Sequence, residues 1–140
     1  MATVLVPIDG SDNSMRALQA TVKQIKSGAA TEVHLLNVQS QPLAMVSRYL
    51  TKDFIDTYHD EEGKKALSDA MALLDQAGIR FIPYIRVGPI AETIAAFSKE
   101  MQCDQIIMGT RGLGTISGLL LGSVANKVLY LVDIPVTFVK

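Results

Sequence analysis

Gly109, Gly112, Gly114, Gly118 and Gly122 put five of the chain's ten glycines into fourteen residues, where even scatter over 140 residues would put one. Glycine loses the most conformational freedom on folding, so such clustering implies positive φ angles or close approach of the backbone to something bulky. Phosphate fits that description. Successive backbone N–H groups in a glycine-rich loop, continued by a helix amino end near Ser123, form a concave donor array that binds a polyanion without a basic patch. Arg111 adds a charge-assisted bond, and Asp9, which closes the first apolar run, supplies a carboxylate. A flexible surface connection is the plainer reading of the same glycines.

Two common phosphate motifs do not fit. A Walker A loop requires Gly-Lys-Ser or Gly-Lys-Thr, whereas Gly122 is followed by Ser123 and the nearest lysine, Lys127, lies a helical turn further on. A Gly-x-Gly-x-x-Gly reading takes Gly112 and Gly114 but meets Ser117 at its last position, and it follows the fourth strand instead of the first. No catalytic residue is assigned. His34 alternates within a strand and His59 sits in a polar run, so both read as structural or solvated. Asp56, His59 and Asp60 could share one helix face, but a charged, solvated face is the commoner outcome, and no metal site is assigned. Cys103 reads as a small buried hydrophobe.

The elements that must position this loop alternate between two periods. Val4 to Ile8 is a β-branched apolar run ended by Asp9-Gly10. Ser11, Asp12 and Asn13 then offer cap oxygens to a helix marked by Met15, Leu18, Val22 and Ile25 and stopped at Ser27-Gly28. Glu32 to Val38 predicts a second strand, and an irregular segment from Gln39 to Thr51 leads to a long helix along Leu67, Ala70, Leu74 and Ala77, closed by Gly78. Phe81 to Val87, with Pro83 inside it, predicts a third strand that ends at Gly88-Pro89. Ile90, Ile94, Phe97 and Met101 mark the next helix. Gln105 to Met108 is the fourth strand, Val124, Val128 and Leu131 mark the last helix, and Pro135 to Val139 is the fifth strand. Strict alternation calls for right-handed crossovers, a mostly parallel sheet covered on both faces, and a ligand beyond the carboxyl ends of the strands.

Composition narrows the function. At 140 residues and 49% apolar content the chain predicts one domain, and 13 Lys and Arg against 14 Asp and Glu leave a net charge of −1. No net field therefore recruits nucleic acid or an anionic membrane. One cysteine allows no internal disulfide and no Cys-x-x-Cys pair, and no apolar stretch approaches the roughly 20 residues of a membrane span. With no signal-peptide pattern before Asp9, the expected location is cytoplasmic.

Gly109-Thr110-Arg111-Gly112, then nine residues, then Gly122-Ser123, resembles the Gly-x-x-Gly-x9-Gly-Ser/Thr nucleotide motif of the universal stress protein family. Val4-Leu-Val-Pro-Ile-Asp-Gly-Ser, Gly88-Pro89 and Ile134-Pro-Val-Thr-Phe-Val look familial too, so the resemblance covers residues 1–140. It implies an α/β, Rossmann-like nucleotide-binding domain: an open, twisted parallel sheet of five strands, order 3-2-1-4-5, with helices on both faces. That order sets the Asp9 turn beside the Gly109 loop.

Carried over by position, the resemblance implies that Pro7, Ile8 and Asp9 flank an adenosine, with Asp9 near the ribose or a phosphate-bound metal. It further implies that Val38 reads the base, that Val87 borders the same pocket, and that Met108 and Gly109 lead into the phosphate loop. Gly112, Gly122, Ser123 and Val124 would meet the phosphates, with Arg111 beside them. Asp9 as a turn residue and Ser123 as a helix cap remain open from the residues alone. The implied cofactor is ATP, with AMP or ADP as substitutes and Mg²⁺ carried on the phosphates. The implied assembly is a homodimer through the last strand, 135–139, an exposed edge in a monomer. The expected function is a nucleotide-dependent switch with slow or no hydrolysis and an unknown protein partner. Its alternatives are a nucleotide-independent interaction module and a slow metal-dependent ATPase. The apolar segment from Gln39 to Thr51, with Leu43, Met45, Val46, Tyr49 and Leu50, would fold over the nucleotide, meet a partner, or simply pack.

Overall fold

Strand β1 (Ala2–Pro7) is the centre of the molecule because both of its faces are apolar. Val4 and Val6 face one side and Leu5 the other, all essentially without exposure. A strand of this kind is stable only between two helical layers. The computed structural model describes residues 2–28, 31–112 and 120–140. Around β1 run α1 (Asp12–Lys26), β2 (Thr31–Gln39), a short α2 (Ala44–Ser47), α3 (Lys52–Gln76), β3 (Phe81–Val87), α4 (Ile90–Glu100), β4 (Gln105–Gly109), α5 (Ser123–Leu131) and β5 (Val136–Val139). All strand pairs are parallel and the sheet order is β3-β2-β1-β4-β5.

Helices α1 and α3 cover one face. Ala17, Leu18, Leu67, Ala70 and Leu74 pack there on Val4, Val6, Ile8, Val33, Leu35 and Ile107. On the opposite face Ala91, Ile94 and Phe97 of α4 and Ala125 and Val128 of α5 pack on Leu5, Leu36, Ile106 and Met108. Each fully buried Leu or Ile contributes on the order of 1.5–3 kcal/mol of burial. Of the expected lines of α1 and α3, Leu18, Val22, Leu67, Ala70 and Leu74 are core residues and Met15, Ile25 and Ala77 pack half-buried against them; at the ends of the other two lines, Ile90 and Leu131 are exposed. Pro83 is accommodated because β3 is an edge strand.

Register opens the space where a ligand can sit. Pro7 of β1 pairs with Leu36, and β2 continues for three more residues against β3, through Asn37, Val38 and Gln39. On the other side β4 leaves β1 after Leu5↔Ile106 and runs on beside β5 to Gly109↔Val139. The carboxyl ends of β2 and β4 therefore stand as two walls beyond the end of β1. Helix α1 departs from that end under a left-handed Gly10 (φ 86°), with Ser11 as N-cap accepting from the Ser14 amide at 3.1 Å.

One glycine is required by packing. A Cβ on Gly63, in the middle of α3, would come within 2.6 Å of Ile85 Cδ1 and 2.8 Å of Cγ1 and Cγ2. Gly63→Ala gains up to about 1 kcal/mol of helix propensity but meets an overpacking cost of about 1–3 kcal/mol. We expect a net loss of about 1 kcal/mol in urea unfolding. Adding Ile85→Val, which removes Cδ1, should recover part of it, and strict additivity in that double-mutant cycle would count against the contact.

Candidate functional site

The two walls enclose a cavity of ≈ 590 Å³. Its floor is Pro7 and Ile8 after β1 and Met108 at the end of β4. Asp9 stands at one side, Leu36 to Ser40 form the β2 wall, and Gly109, Arg111 and Gly112 form the β4 wall. Gly122 to Ala125 close it from the start of α5, with Ile90 and Ile94 of α4, Ser14 of α1 and Tyr58 of α3 around the rim. Eleven of the twelve residues expected at a site thus meet around one space: Pro7, Ile8, Asp9, Val38, Met108, Gly109, Arg111, Gly112, Gly122, Ser123 and Val124. Val87 does not. It ends β3 one strand beyond β2, is 44% exposed and lies outside the lining, because Val38 and Gln39 stand between it and the cavity. Leu113 to Leu119, with Gly114, Ser117 and Gly118, lie outside the described residues.

Backbone donors define one end of the cavity. The N-cap of α5 is Gly122, not Ser123; Ser123 is the first helical residue, which corrects the expected cap. The Gly122 amide is already used, donating to the Thr110 carbonyl at 2.7 Å. Helix geometry leaves the amides of Ser123, Val124 and Ala125 without intrahelical acceptors, since the first bond is Asn126 N–H to the Gly122 carbonyl at 3.0 Å. The helix dipole adds a fractional positive charge at the same place. Asp9 and Arg111 are the charged residues of the described lining. Lys127 is turned aside and pairs with Glu92 of α4 at 2.8 Å.

The glycines next to these donors allow close approach. A Cβ at Gly109 would overlap the Asn13 amide, reaching 2.7 Å from its Cγ, and a Cβ at Gly112 would overlap the Asp9 carboxylate. Asp9 Oδ1 accepts from the Ser11 amide at 2.9 Å, so the carboxylate holds the turn as well as facing the loop. The opposite, β2 end of the cavity combines the apolar Leu36 and Val38 with Ser40 and a relay of amides. Asn37 Nδ2 donates to the Ile8 carbonyl at 2.8 Å and Gln39 Nε2 to Asn37 Oδ1 at 2.6 Å. Asn37 is buried between Leu36 and Val38, and a lone amide inside that apolar stretch is the signal by which the sequence could have revealed it. Ser14, Gln39, Ser40 and Tyr58 had no comparable signal.

The family model of the universal stress protein family matches residues 1–140. This chain belongs to that family. Universal stress protein YxiE of Bacillus subtilis is 33% identical over 145 residues, covering 98% of this chain and 97% of the relative. The solved structure of MJ0577, a universal stress protein of Methanocaldococcus jannaschii, matches with a TM-score of 0.86 at 28% identity over 99% of this chain and 95% of its own. A universal stress protein solved in complex with cAMP matches with a TM-score of 0.74 at 25% identity, over 99% and 97%.

Residues away from the cavity of this universal stress protein have structural roles. His34 is buried, places Nε2 2.9 Å from Glu32 and stacks on Tyr84. His59 is buried rather than solvated, with Nε2 3.1 Å from the Ser40 carbonyl, while Asp60 is engaged by Lys64 at 2.9 Å. Of the segment from Gln39 to Thr51, Gln39 and Ser40 line the ≈ 590 Å³ cavity and residues 43–50 do not. Leu43, Val46 and Leu50 instead line a separate cleft of ≈ 390 Å³ with Phe54, Ile55 and Tyr58. Cys103 is buried, and desolvation, followed by the charges of Asp104 and Glu32, pushes its thiol up to about 11.

A raised thiol pKa means that the fold favours the protonated form. This contribution to stability is complete below the ordinary value of 9.0 and is lost as the pH rises towards about 11. We therefore expect stability to fall across that alkaline window in the wild type and less in Cys103→Ala. At pH 8 iodoacetamide should alkylate the native protein roughly a hundredfold or more slowly than the unfolded chain. Equal rates would contradict the burial.

Proposed function

We propose that this protein binds an adenine nucleotide, ATP first with ADP or AMP as the other candidates, in the cavity at the switch point of its sheet. The observation that carries this reading is the polarity of one space. Backbone donors and Arg111 gather at the β4–α5 end, and an uncharged wall of Leu36, Val38, Ser40 and the Asn37–Gln39 amide relay stands at the β2 end. A volume of ≈ 590 Å³ lies in the ordinary range for small-molecule sites. The relative solved with cAMP supports the class of ligand.

On this reading the phosphates lie against the amides of Gly112, Ser123 and Val124, beside Gly109 and Gly122, with the Ser123 hydroxyl and Arg111 adding side-chain donors. Pro7, Ile8, Met108 and Val38 contact the nucleoside, and Asp9 faces the ribose or a cation. The donor set suits Mg²⁺ carried by the phosphates and water: Asp9 is the single carboxylate of the described lining, and no group of three or more metal-ligating side chains occurs among the described residues. When bound, the ion would supply charge neutralisation. No histidine lines the described cavity, and Asp9 is held by the Ser11 amide, so this chain offers a binding site with little to orient an attacking water. Hydrolysis is slow or absent, and the nucleotide acts by stabilising one state of a cytoplasmic regulator that passes the signal to a protein partner.

The last strand is the proposed homodimer contact. In β5 the carbonyls of Pro135 and Val139 accept from β4, at 3.0 Å from both Ile106 N and Thr110 N. Alternation along the strand turns the backbone groups of Val136 and Phe138 outward to a free sheet edge.

Gentle purification without added nucleotide, release by acid, and titration with ATP, ADP and AMP in the presence and absence of Mg²⁺ test the ligand. Binding near one nucleotide per chain is expected, weakened at least tenfold by Gly122→Val in a protein of unchanged fold. No binding at millimolar nucleotide would sink the proposal. Any phosphate release that Gly122→Val leaves unchanged would come from a contaminant. Sedimentation equilibrium tests the assembly: a dimer at micromolar concentration is expected, shifted towards monomer by Val136→Pro, which removes an outward N–H and leaves the β4 ladder intact. A monomer at every concentration would remove the dimer from the mechanism.

A further inference from the structure

Asn13 lines none of the cavity, yet its side chain meets two of the elements that shape it. It is the second residue of α1 and only 7% exposed. Its Oδ1 accepts from the Arg111 amide at 2.7 Å and its Nδ2 donates to the Val139 carbonyl at 3.0 Å. Because Arg111 offers a donor and Val139 an acceptor, this is the orientation of the amide that satisfies both. The Val139 carbonyl also accepts from Thr110 N at 3.0 Å, and the Thr110 carbonyl accepts from Gly122 N at 2.7 Å. One side chain therefore closes a circuit from α1 to the end of β5, back to the residues that follow β4, and on to the first turn of α5. The packing is tight enough that Gly109 has no room for a Cβ against the same amide.

We infer that Asn13 is a positioning residue for the phosphate end of the site: it aims the backbone amides of the Gly109–Gly112 turn without touching the ligand. This inference rests on the nucleotide reading above. Asn13 is not needed to start α1, since Ser11 caps that helix. Nor does it frame the nucleoside end, where Asn37 and Gln39 make their own bonds to the Ile8 carbonyl and to each other. Loss of Asn13 removes the acceptor of the part-buried Arg111 N–H and one of the two donors to the Val139 carbonyl, both at one end of the cavity. Its effect should accordingly scale with the phosphates on the ligand rather than with the adenosine they share.

Calorimetric titration of Asn13→Ala with ATP, AMP and adenosine separates these contributions. ATP and AMP should weaken at least tenfold and adenosine by less than twofold, and hydrogen exchange should accelerate at the Arg111 amide while α1 stays protected. Equal weakening for all three ligands, or none for any, would overturn the positioning role even if the wild type binds nucleotide normally. A wild type that binds none of the three would overturn the cavity reading and this one together. If Asn13→Ala does not fold, the side-chain amide resonances of Asn13 in the ¹⁵N-labelled wild type decide the matter. They should shift on addition of AMP and stay in place with adenosine, and resonances unmoved by AMP would refute the role.

Discussion

Burial of β1 on both faces is the constraint from which the rest of the architecture follows. Leu5 on one side and Val4 and Val6 on the other must each meet a helical layer, and a chain that alternates strand and helix achieves this by right-handed crossovers to opposite faces. The reversal from β2 on one side of β1 to β4 on the other leaves a gap at the carboxyl ends of these strands. The cavity is therefore a consequence of the core.

Within this gap the chain handles charge economically. A lysine-based anion site would carry a cost of burial and a field visible at long range, whereas helix-start amides are fixed dipoles whose N–H groups have no intrahelical acceptor. Arg111 and Asp9 nearly cancel, and the overall charge of −1 is consistent with a site that attracts an anion locally and not from a distance. The pairing of Lys127 with Glu92 belongs to the same pattern, since it takes the nearest lysine out of the cavity and uses it to join α4 and α5.

The fold was legible in the sequence because its signal is periodicity over whole elements, which tertiary packing here reinforces: Leu67, Ala70 and Leu74 are both the helical stripe and the core. The glycine positions were legible for a similar reason, since Gly109 and Gly112 are places where a Cβ has no room. What escaped reading depends on angles between elements. Val87 follows a familial spacing but sits one strand too far out. The cap of α5 falls on Gly122 because the chain enters that helix extended, at φ −71° and ψ 171°, and a preference for serine at caps does not determine that path. Asn13 looked like one of three interchangeable cap residues, and only the arrival of Arg111 after β4 and of Val139 in β5, both about a hundred residues or more later in the chain, gives its amide two partners.

That long-range partner bears on how a small domain of this kind could act as a switch. The Val139 carbonyl is shared by Thr110 N and Asn13 Nδ2, while the neighbouring residues of β5 turn their own backbone groups outward. The inner side of β5 thus belongs to the circuit that shapes the β4–α5 end of the cavity, and its outer side is the edge of the proposed dimer contact. On the proposed reading, displacement of β5 by pairing would disturb the bonds from Thr110 N and Asn13 Nδ2 to the Val139 carbonyl, and a ligand seated against the neighbouring amides would bear on the same bonds from the other side. Linkage makes the two effects equal in free energy, so any coupling between the cavity and the edge strand runs in both directions.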